Sequence, residues 1–166
     1  MNTAIKFALP LFAAAALAAC GQDAADTAAE KLAKAHGVDV EIDRDGGEAT
    51  YTIGGKDGNT LQIGEKLSLP DGFPADVPMY PGLKIVAAST TPEGFLVHAQ
   101  SSDGLGDVTS FYADKLVAGG WEKEGEFQAE NMRTSSFKKE GRTASVNVFA
   151  ADDGTVTVQV SALNAR

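Results

Sequence analysis

Short runs of alternating apolar and polar residues, separated by turn residues, constrain the fold of this chain more than any other feature of its sequence. Successive side chains of a strand point to opposite faces, so each run predicts a strand with one apolar face. The last such runs follow one another closely, at residues 121–127, 132–138, 143–149 and 155–162. Turn residues such as Asp152-Asp153-Gly154 lie between them and favour tight hairpins. The pattern therefore predicts a largely antiparallel sheet.

One segment has helical spacing instead. Its apolar residues recur three or four positions apart, which is typical of a helix with one buried face: Leu105, Val108, Phe111, Tyr112 and Leu116. Either Asp103 or Asp107 is suited to cap the start of this helix, and Gly119-Gly120 ends it. Two more alternating runs, at residues 83–89 and 94–100, precede the helix. The predicted order is ββαββββ, an α+β domain with two layers in which one helix packs on a mostly antiparallel sheet.

A smaller helix and a β-meander are predicted before this domain. Residues 22–36 place several alanines and Leu32 on one helical stripe, so the segment is either a tether or a lid. Three alternating runs follow, at residues 38–42, 49–53 and 60–63. Three short strands are only marginally stable alone. We expect their apolar face to be covered, either by the preceding helix or by the main domain.

Four of the six prolines lie within residues 69–82, LPDGFPADVPMYPG. Three interpretations are open for this segment: a flexible linker, a recognition peptide for an aromatic groove, or a stiff strap that belongs to the fold. Prolines stiffen a chain, whereas flexible linkers favour Gly and Ser. Phe73, Val77, Met79 and Tyr80 are also too apolar for a solvated spacer. These residues favour a strap that packs across the domain.

The first residues have the composition of an export signal. Residues 1–19 carry one Lys and no acidic residue, and the apolar stretch 7–19 is short for a membrane span. The motif that follows, Leu17-Ala18-Ala19-Cys20, resembles the lipobox of bacterial lipoprotein precursors. The resemblance implies cleavage between Ala19 and Cys20 and attachment of lipid, with acyl chains such as palmitate, to Cys20. The alternative is an ordinary secretory signal with an incidental Cys.

Two further observations bear on this alternative. Cys20 is the only Cys of the chain, whereas cysteines of exported proteins usually occur in pairs. Gly rather than Asp follows at position 21, which in Gram-negative lipoproteins implies delivery to the outer membrane. We therefore expect an outer-membrane protein that its lipid anchors on the periplasmic side.

A second resemblance covers residues 69–162. The strap, together with the helix end FYADKLVAGGW, is similar to a group of small, mostly uncharacterised Gram-negative envelope lipoproteins. These share a Leu-Pro…Phe-Pro-x-Asp-Val-Pro-x-Tyr-Pro-Gly strap and a Phe-Tyr-x-x-x-Leu-x-x-x-Gly-Trp motif. The resemblance implies an envelope location and no particular activity. We divide the chain into five parts: residues 1–19 (cleaved signal), 20–36 (lipidated tether and helix), 37–66 (meander), 67–82 (strap) and 83–166 (α+β domain).

The chain is acidic, with a formal net charge of −9 that becomes −10 without residues 1–19. Binding of nucleic acid depends on Lys and Arg that neutralise phosphates, so we expect no nucleic-acid partner. Electrostatic adhesion to anionic lipid is disfavoured for the same reason, and membrane attachment is expected to rest on the lipid of Cys20 alone. A partner protein of the envelope would be basic or would be reached through the exposed sheet face.

Residues for catalysis or metal binding are scarce. His36 and His98 are the only histidines, and neither has a second His or a carboxylate at ligand spacing. Residues 43–47, DRDGG, match only the start of a calcium loop, because the glycine comes too early. No Gly-x-Ser-x-Gly motif occurs. We expect no metal, no cofactor and no catalytic residue.

Two aromatic residues are candidates for contact with a partner. Trp121, the only Trp, is interpreted either as a core residue or as an exposed stacking residue for peptide or glycan, and Tyr80 raises the same question. The sequence favours a lipid-anchored, non-catalytic envelope module that binds or braces a partner through its sheet face or strap. The alternative is a periplasmic hydrolase of peptidoglycan or another glycan, with carboxylates that the fold would bring together.

Overall fold

The structure, a computed structural model, describes residues 22–35, 37–45, 48–55 and 58–165. The predicted signal with Ala19 and Cys20 lies outside these residues, as does His36. The elements in chain order are α1 (Gln22–Ala35), β1 (Asp39–Asp45), β2 (Glu48–Gly54), β3 (Thr60–Leu67), β4 (Lys84–Thr91), β5 (Gly94–Ser101), α2 (Leu105–Ala118), β6 (Glu122–Gln128), β7 (Met132–Lys139), β8 (Arg142–Ala150) and β9 (Val156–Leu163). No helix within the described residues has the length and apolar character needed to cross a membrane.

The nine strands form one antiparallel sheet in the order β1-β2-β3-β4-β5-β9-β8-β7-β6. The predicted α+β class, with one helix packed on a mostly antiparallel sheet and a further N-terminal helix, is confirmed. The three strands of the predicted meander also form. Because β3 pairs with β4, the meander and the main sheet are continuous.

Helix α2 covers one side of the sheet and packs against β6, β7 and β8. Its apolar stripe is buried at Val108, Tyr112 and Leu116, whereas Leu105 and Phe111 are half-buried. The strands supply the other half of this core through buried residues that share one face: Phe137, Ala144, Val146, Val148, Val156, Val158, Val160 and Ala162. Burial of so many apolar side chains is the main stabilising contribution to this region.

Residues 69–82 of the strap pack across the same side of the sheet. Val77 is buried, and Phe73, Met79 and Tyr80 are half-buried against the core. Short turns fold the segment, in which the backbone N–H groups of Phe73 and Val77 donate to the carbonyls of Pro70 and Pro74. The interpretation as a packed strap is thereby confirmed.

The start of α2 differs from the prediction. Gly104 is the N-cap residue, and no side chain caps the helix. The Asp103 carboxylate instead accepts a hydrogen bond from the Tyr80 hydroxyl at 2.8 Å, and Asp107 lies in the first turn. The capping prediction was therefore wrong for both residues. The strap engages Asp103, and an acidic residue inside the first turn interacts with the helix dipole without capping.

Candidate functional site: a charge-free band on the open face of the sheet

The side of the sheet opposite α2 and the strap, here called the open face, carries the outward residues of the strands. In β5 and β9, Val97 and Val160 point into the core, so Leu96, His98, Gln159 and Ser161 point to the open face. Directly paired residues of neighbouring strands share a face. The register therefore extends the open face across all nine strands.

Two neighbouring rows of cross-strand partners run across the open face, and together we call them the neutral band. The first row contains Val40, Ile53, Leu61, Ser89, Leu96, Ser161, Ser145, Ser136 and Gly125, and the second contains Ile42, Tyr51, Ile63, Ala87, His98, Gln159, Asn147, Thr134 and Phe127. None of these positions is Asp, Glu, Lys or Arg, although 22% of the chain is charged. Charges of the open face begin in the flanking rows, for example at Arg44, Lys84 and Lys138.

The β1–β3 end of the neutral band is apolar. Tyr51, Leu61 and Ile63, here called the meander patch, keep 39%, 37% and 44% of their surface exposed. Tyr51 and Ile63 are direct cross-strand partners. Soluble chains rarely leave adjacent large apolar side chains uncovered without a role for them. The meander patch is therefore a candidate contact surface.

The β7–β9 part of the neutral band is polar but uncharged. Its side chains are hydroxyls and amides: Ser136, Thr134, Ser145, Asn147, Ser161 and Gln159. Within the part of the chain that the structure describes, these six side chains make no hydrogen bond to another residue. Amides and hydroxyls both donate and accept, so this half of the band can pair with a polar surface of the same kind.

The apolar face of the sheet changes sides between β3 and β4. On the α2 side, β4–β9 present Ala88, Val97 and Val160, whereas β1–β3 present Glu41, Thr52 and Gln62 in the same row. The meander therefore turns its apolar residues to the open face. The continuous sheet has two apolar surfaces on opposite sides.

Helix α1 covers only the outer edge of the meander. It packs against β1, where the Ile42 backbone N–H donates to Glu30 Oε1 at 3.0 Å and the Arg44 guanidinium pairs with the Asp26 carboxylate. The hydrogen bonds from Arg44 lower the pKa of Asp26. We expected the helix or the main domain to cover the apolar face of the meander. The helix packs only beside the edge strand β1, and the meander patch stays exposed.

The structure places Trp121 under the strap. Its ring is 3% exposed, and its Nε1–H donates to the Asp76 carbonyl at 3.0 Å. The Asp76 carboxylate accepts hydrogen bonds from Arg142 at 2.6 and 2.9 Å and from Lys139 at 3.0 Å, and the Arg142 guanidinium lies 5.0 Å from the Trp121 ring centre. The hydrogen bonds from Arg142, followed by that from Lys139, hold the pKa of Asp76 well below its usual range. Trp121 is thus a core residue and not the exposed stacking residue of the alternative interpretation.

Tyr80 attaches the strap to α2. Its hydroxyl donates to Asp103, its backbone N–H donates to the Tyr112 hydroxyl at 3.3 Å, and its ring meets Phe111 edge-on at 5.2 Å. The hydrogen bond to Asp103 raises the pKa of Tyr80, and burial raises the pKa of Tyr112 to about 12. Tyr80 and Trp121 both lie on the α2 side, away from the neutral band. His98, on the face opposite Val97, lies half-buried within the band.

Sequence reasoning missed the neutral band. Its signal was the Ser/Thr/Asn/Gln composition of the outward positions in TASVNVF and TVTVQVSA, but only the strand pairing joins these positions to the meander. Among the described residues, no three His, Cys, Asp or Glu side chains are grouped so as to hold a metal ion.

The fold defines a class of α+β protein in which a helix and a strap cover one side of an antiparallel sheet. The neutral band crosses the other side, the open face. Residues 83–163 match the family model described as START domain-like. The matched range covers β4–β9 and α2, and it leaves out the strap, α1 and the meander. No curated protein and no solved structure matches the chain.

Proposed function

We propose that this protein is a lipid-anchored, non-catalytic module of the bacterial envelope that acts by binding or bracing a partner at the periplasmic face of the outer membrane. The observation that carries the proposal is the neutral band. An acidic chain that keeps two rows of side chains free of charge across nine strands has a surface suited to a neutral contact, since charged groups are depleted from the buried centres of interfaces.

The anchor is proposed to be lipid on Cys20. The support is the motif Leu17-Ala18-Ala19-Cys20, followed by Gly21. Each buried methylene of an acyl chain contributes about 0.8 kcal/mol, so two or three chains hold a protein firmly on a bilayer. Cys20 precedes the start of α1 by two positions, and α1 packs on β1. In the sequence, the proposed anchor therefore comes directly before the helix that packs on the edge strand of the meander.

Contact rather than catalysis is proposed because of how the described carboxylates are used. Asp26 and Asp76 face cations, and Asp103 accepts from a tyrosine hydroxyl. Such pairs hold elements together. A glycan hydrolase, the alternative, would need two carboxylates that converge on one bond.

The test is photocrosslinking in intact cells. A photoreactive residue replaces Gln159, in the middle of the neutral band, or Val117, which is 55% exposed on α2. Each variant is made with and without Cys20→Ala. We expect crosslinks to envelope components from position 159 only, and loss of both mature size and crosslinking with Cys20→Ala. Equal crosslinking from both positions, or crosslinking that ignores Cys20→Ala, contradicts the proposal.

A further inference from the structure

We infer that the neutral band binds a second copy of this chain, with the two open faces packed against each other. The inference deepens the proposed function, on which it rests, because it names the partner of the open face. Three features of the band carry the inference. The band has no charged residue, its apolar and polar halves follow one another across the sheet, and α1 lies at its apolar end.

Charge favours a second copy over other partners. Two molecules that each carry a net charge of about −10 repel each other wherever their acidic surfaces meet. The neutral band has no charge on either copy, so it is a surface on which the chain can meet itself without like-charge contacts. A basic partner finds no carboxylate in the band, and an anionic polymer finds no cation there.

The order of the two halves selects one symmetry. In a closed dimer both copies use the same patch, related by a two-fold axis. An axis that lies between the two open faces and runs across the strands places the meander patch of one copy over the meander patch of the other. It also places Asn147 and Gln159 of one copy over the hydroxyls and amides in the β7–β9 part of the other copy's band. An axis along the strands would set apolar against polar residues. Two sheets packed in this way lie about 10 Å apart.

The same axis suits two anchors in one membrane. It brings both β1 edges, and with them both α1 helices, to the same end of the dimer. Because Cys20 precedes α1 by two positions in the sequence, this symmetry allows both proposed anchors to enter one bilayer. Confinement to a membrane raises the effective concentration of the copies, so a weak contact is sufficient.

The experiment introduces one thiol in the meander patch, within the proposed contact, in the full chain in native membranes. Ile63→Cys is compared with Val117→Cys, which lies exposed on α2, after treatment with a short bismaleimide. Two differently tagged copies are expressed together, so that a linked pair of copies is distinguished from another protein of similar size. We expect the doubly tagged product from Ile63→Cys at about tenfold the yield from Val117→Cys. The unsubstituted chain, in which lipid occupies the only thiol, is expected to give none.

A second pair of variants places a charge in the band. Added to Ile63→Cys, Ser145→Lys should reduce the linked product about tenfold, because two lysines or their neighbours would then meet in the contact. Val117→Lys, as control, should leave it unchanged. Three outcomes overturn the inference. They are the absence of doubly tagged product, equal yields from the two thiol positions, and a yield that Ser145→Lys does not change.

The remaining outcomes separate the inference from the proposed function. A product of Ile63→Cys with a different envelope protein overturns the second copy but supports an open-face contact. Linked product from the unsubstituted chain shows a free thiol at Cys20 and contradicts the lipid anchor. Loss of all products from Ile63→Cys, together with no crosslinks from position 159, overturns both.

Discussion

On the α2 side of β4–β9, the apolar residues of the sheet lie under a helix and a strap, and Val97, Val158 and Val160 have no exposed surface. On the open face of β1–β3, residues of similar character have only α1 at their edge, and Tyr51 and Ile63 remain exposed by 39% and 44%. One continuous sheet thus contains a closed core and an uncovered one. The difference suggests that the meander is stabilised by its pairing with β4 and has its apolar side available for contact.

The strap and helix α1 also differ in how firmly they are attached to the sheet. The strap over β4–β9 is fixed by several hydrogen bonds to Asp76 and by Tyr80. Helix α1 is held by the surface ion pairs Asp26–Arg44 and Lys34–Asp39 and by the hydrogen bond that Glu30 accepts from the Ile42 backbone N–H. Exposed ion pairs contribute little to stability. The closed region should therefore respond strongly to substitution, and the open one weakly.

The largest expected effect contrasts two leucines. Leu116 on α2 is fully buried, whereas Leu61 on β3 is 37% exposed. Leu116→Ala should lower the free energy of unfolding by about 2–5 kcal/mol, because it removes buried methyl groups and leaves a cavity. Leu61→Ala should lower it by less than about 1 kcal/mol, because the side chain already contacts water. Urea denaturation of both variants measures the contrast, and equal losses would show that the open face is covered in solution.

The second contrast concerns the antiparallel pairing of β5 with β9. Gly94 has φ +148°, and a Cβ placed there would lie 2.1 Å from the Ala162 carbonyl oxygen. Gly94→Ala should therefore displace the β5–β9 pairing and cost about 1–3 kcal/mol. Gly106 in the first turn of α2 has open space around it. Gly106→Ala, as control, should be neutral or stabilise the helix slightly. Thermal unfolding of the two variants checks both signs, and a neutral Gly94→Ala contradicts the register.

The third contrast tests the cover over the closed region. Asp76→Asn removes the charge that Arg142 and Lys139 share and should cost about 1–2 kcal/mol, since the site is partly exposed and screened. Asp71→Asn changes an exposed acid of the same strap and should have little effect. Chemical denaturation at neutral pH compares the two variants.

The contribution of Asp76 should depend on pH with a defined sign. Its folded-state pKa is lowered, so its contribution to stability is complete above the unfolded pKa of about 3.9 and is lost as the pH falls below it. The stability difference between the protein and Asp76→Asn should stay constant from neutral pH to about pH 5 and then shrink in acid. A difference that grows as the pH falls would mean that the ion pairs do not stabilise the strap.

Most of the fold could be predicted from the sequence because its signals are local. Alternation within each run predicted the strands, the spacing of Val108, Tyr112 and Leu116 predicted the face of α2, and the apolar residues between the prolines predicted a packed strap. The helix cap was mispredicted because Asp103 is engaged by Tyr80, which is distant in sequence. The β7–β8 hairpin follows from the pattern, but the conformation of its turn does not, because Glu140 adopts φ +51°, a conformation in which Glu is uncommon.

The candidate site could not be predicted, because it depends on pairing between distant strands. β5 pairs with β9 rather than with β6, which places His98 beside Gln159 and Leu96 beside Ser161. Alternation within a run shows that a strand has two faces, but it does not show which face of one strand continues which face of the next. The change of apolar side between β3 and β4 is set by this register. It is visible only in the folded chain.

The smallest expected effect concerns α1, whose attachment to the open region should be weak and local. The Ile42 amide donates to Glu30 rather than to a neighbouring strand. Glu30→Ala removes this acceptor and should raise the hydrogen-exchange rate of the Ile42 amide about five- to tenfold, the effect of one hydrogen bond. Exchange at Val160, in the closed core, and the main unfolding transition should not change. Lys31→Ala, on the same helix, is the matched control. If Glu30→Ala instead accelerated exchange at Val160, α1 would be coupled to the closed core, and the two regions would unfold as one cooperative unit.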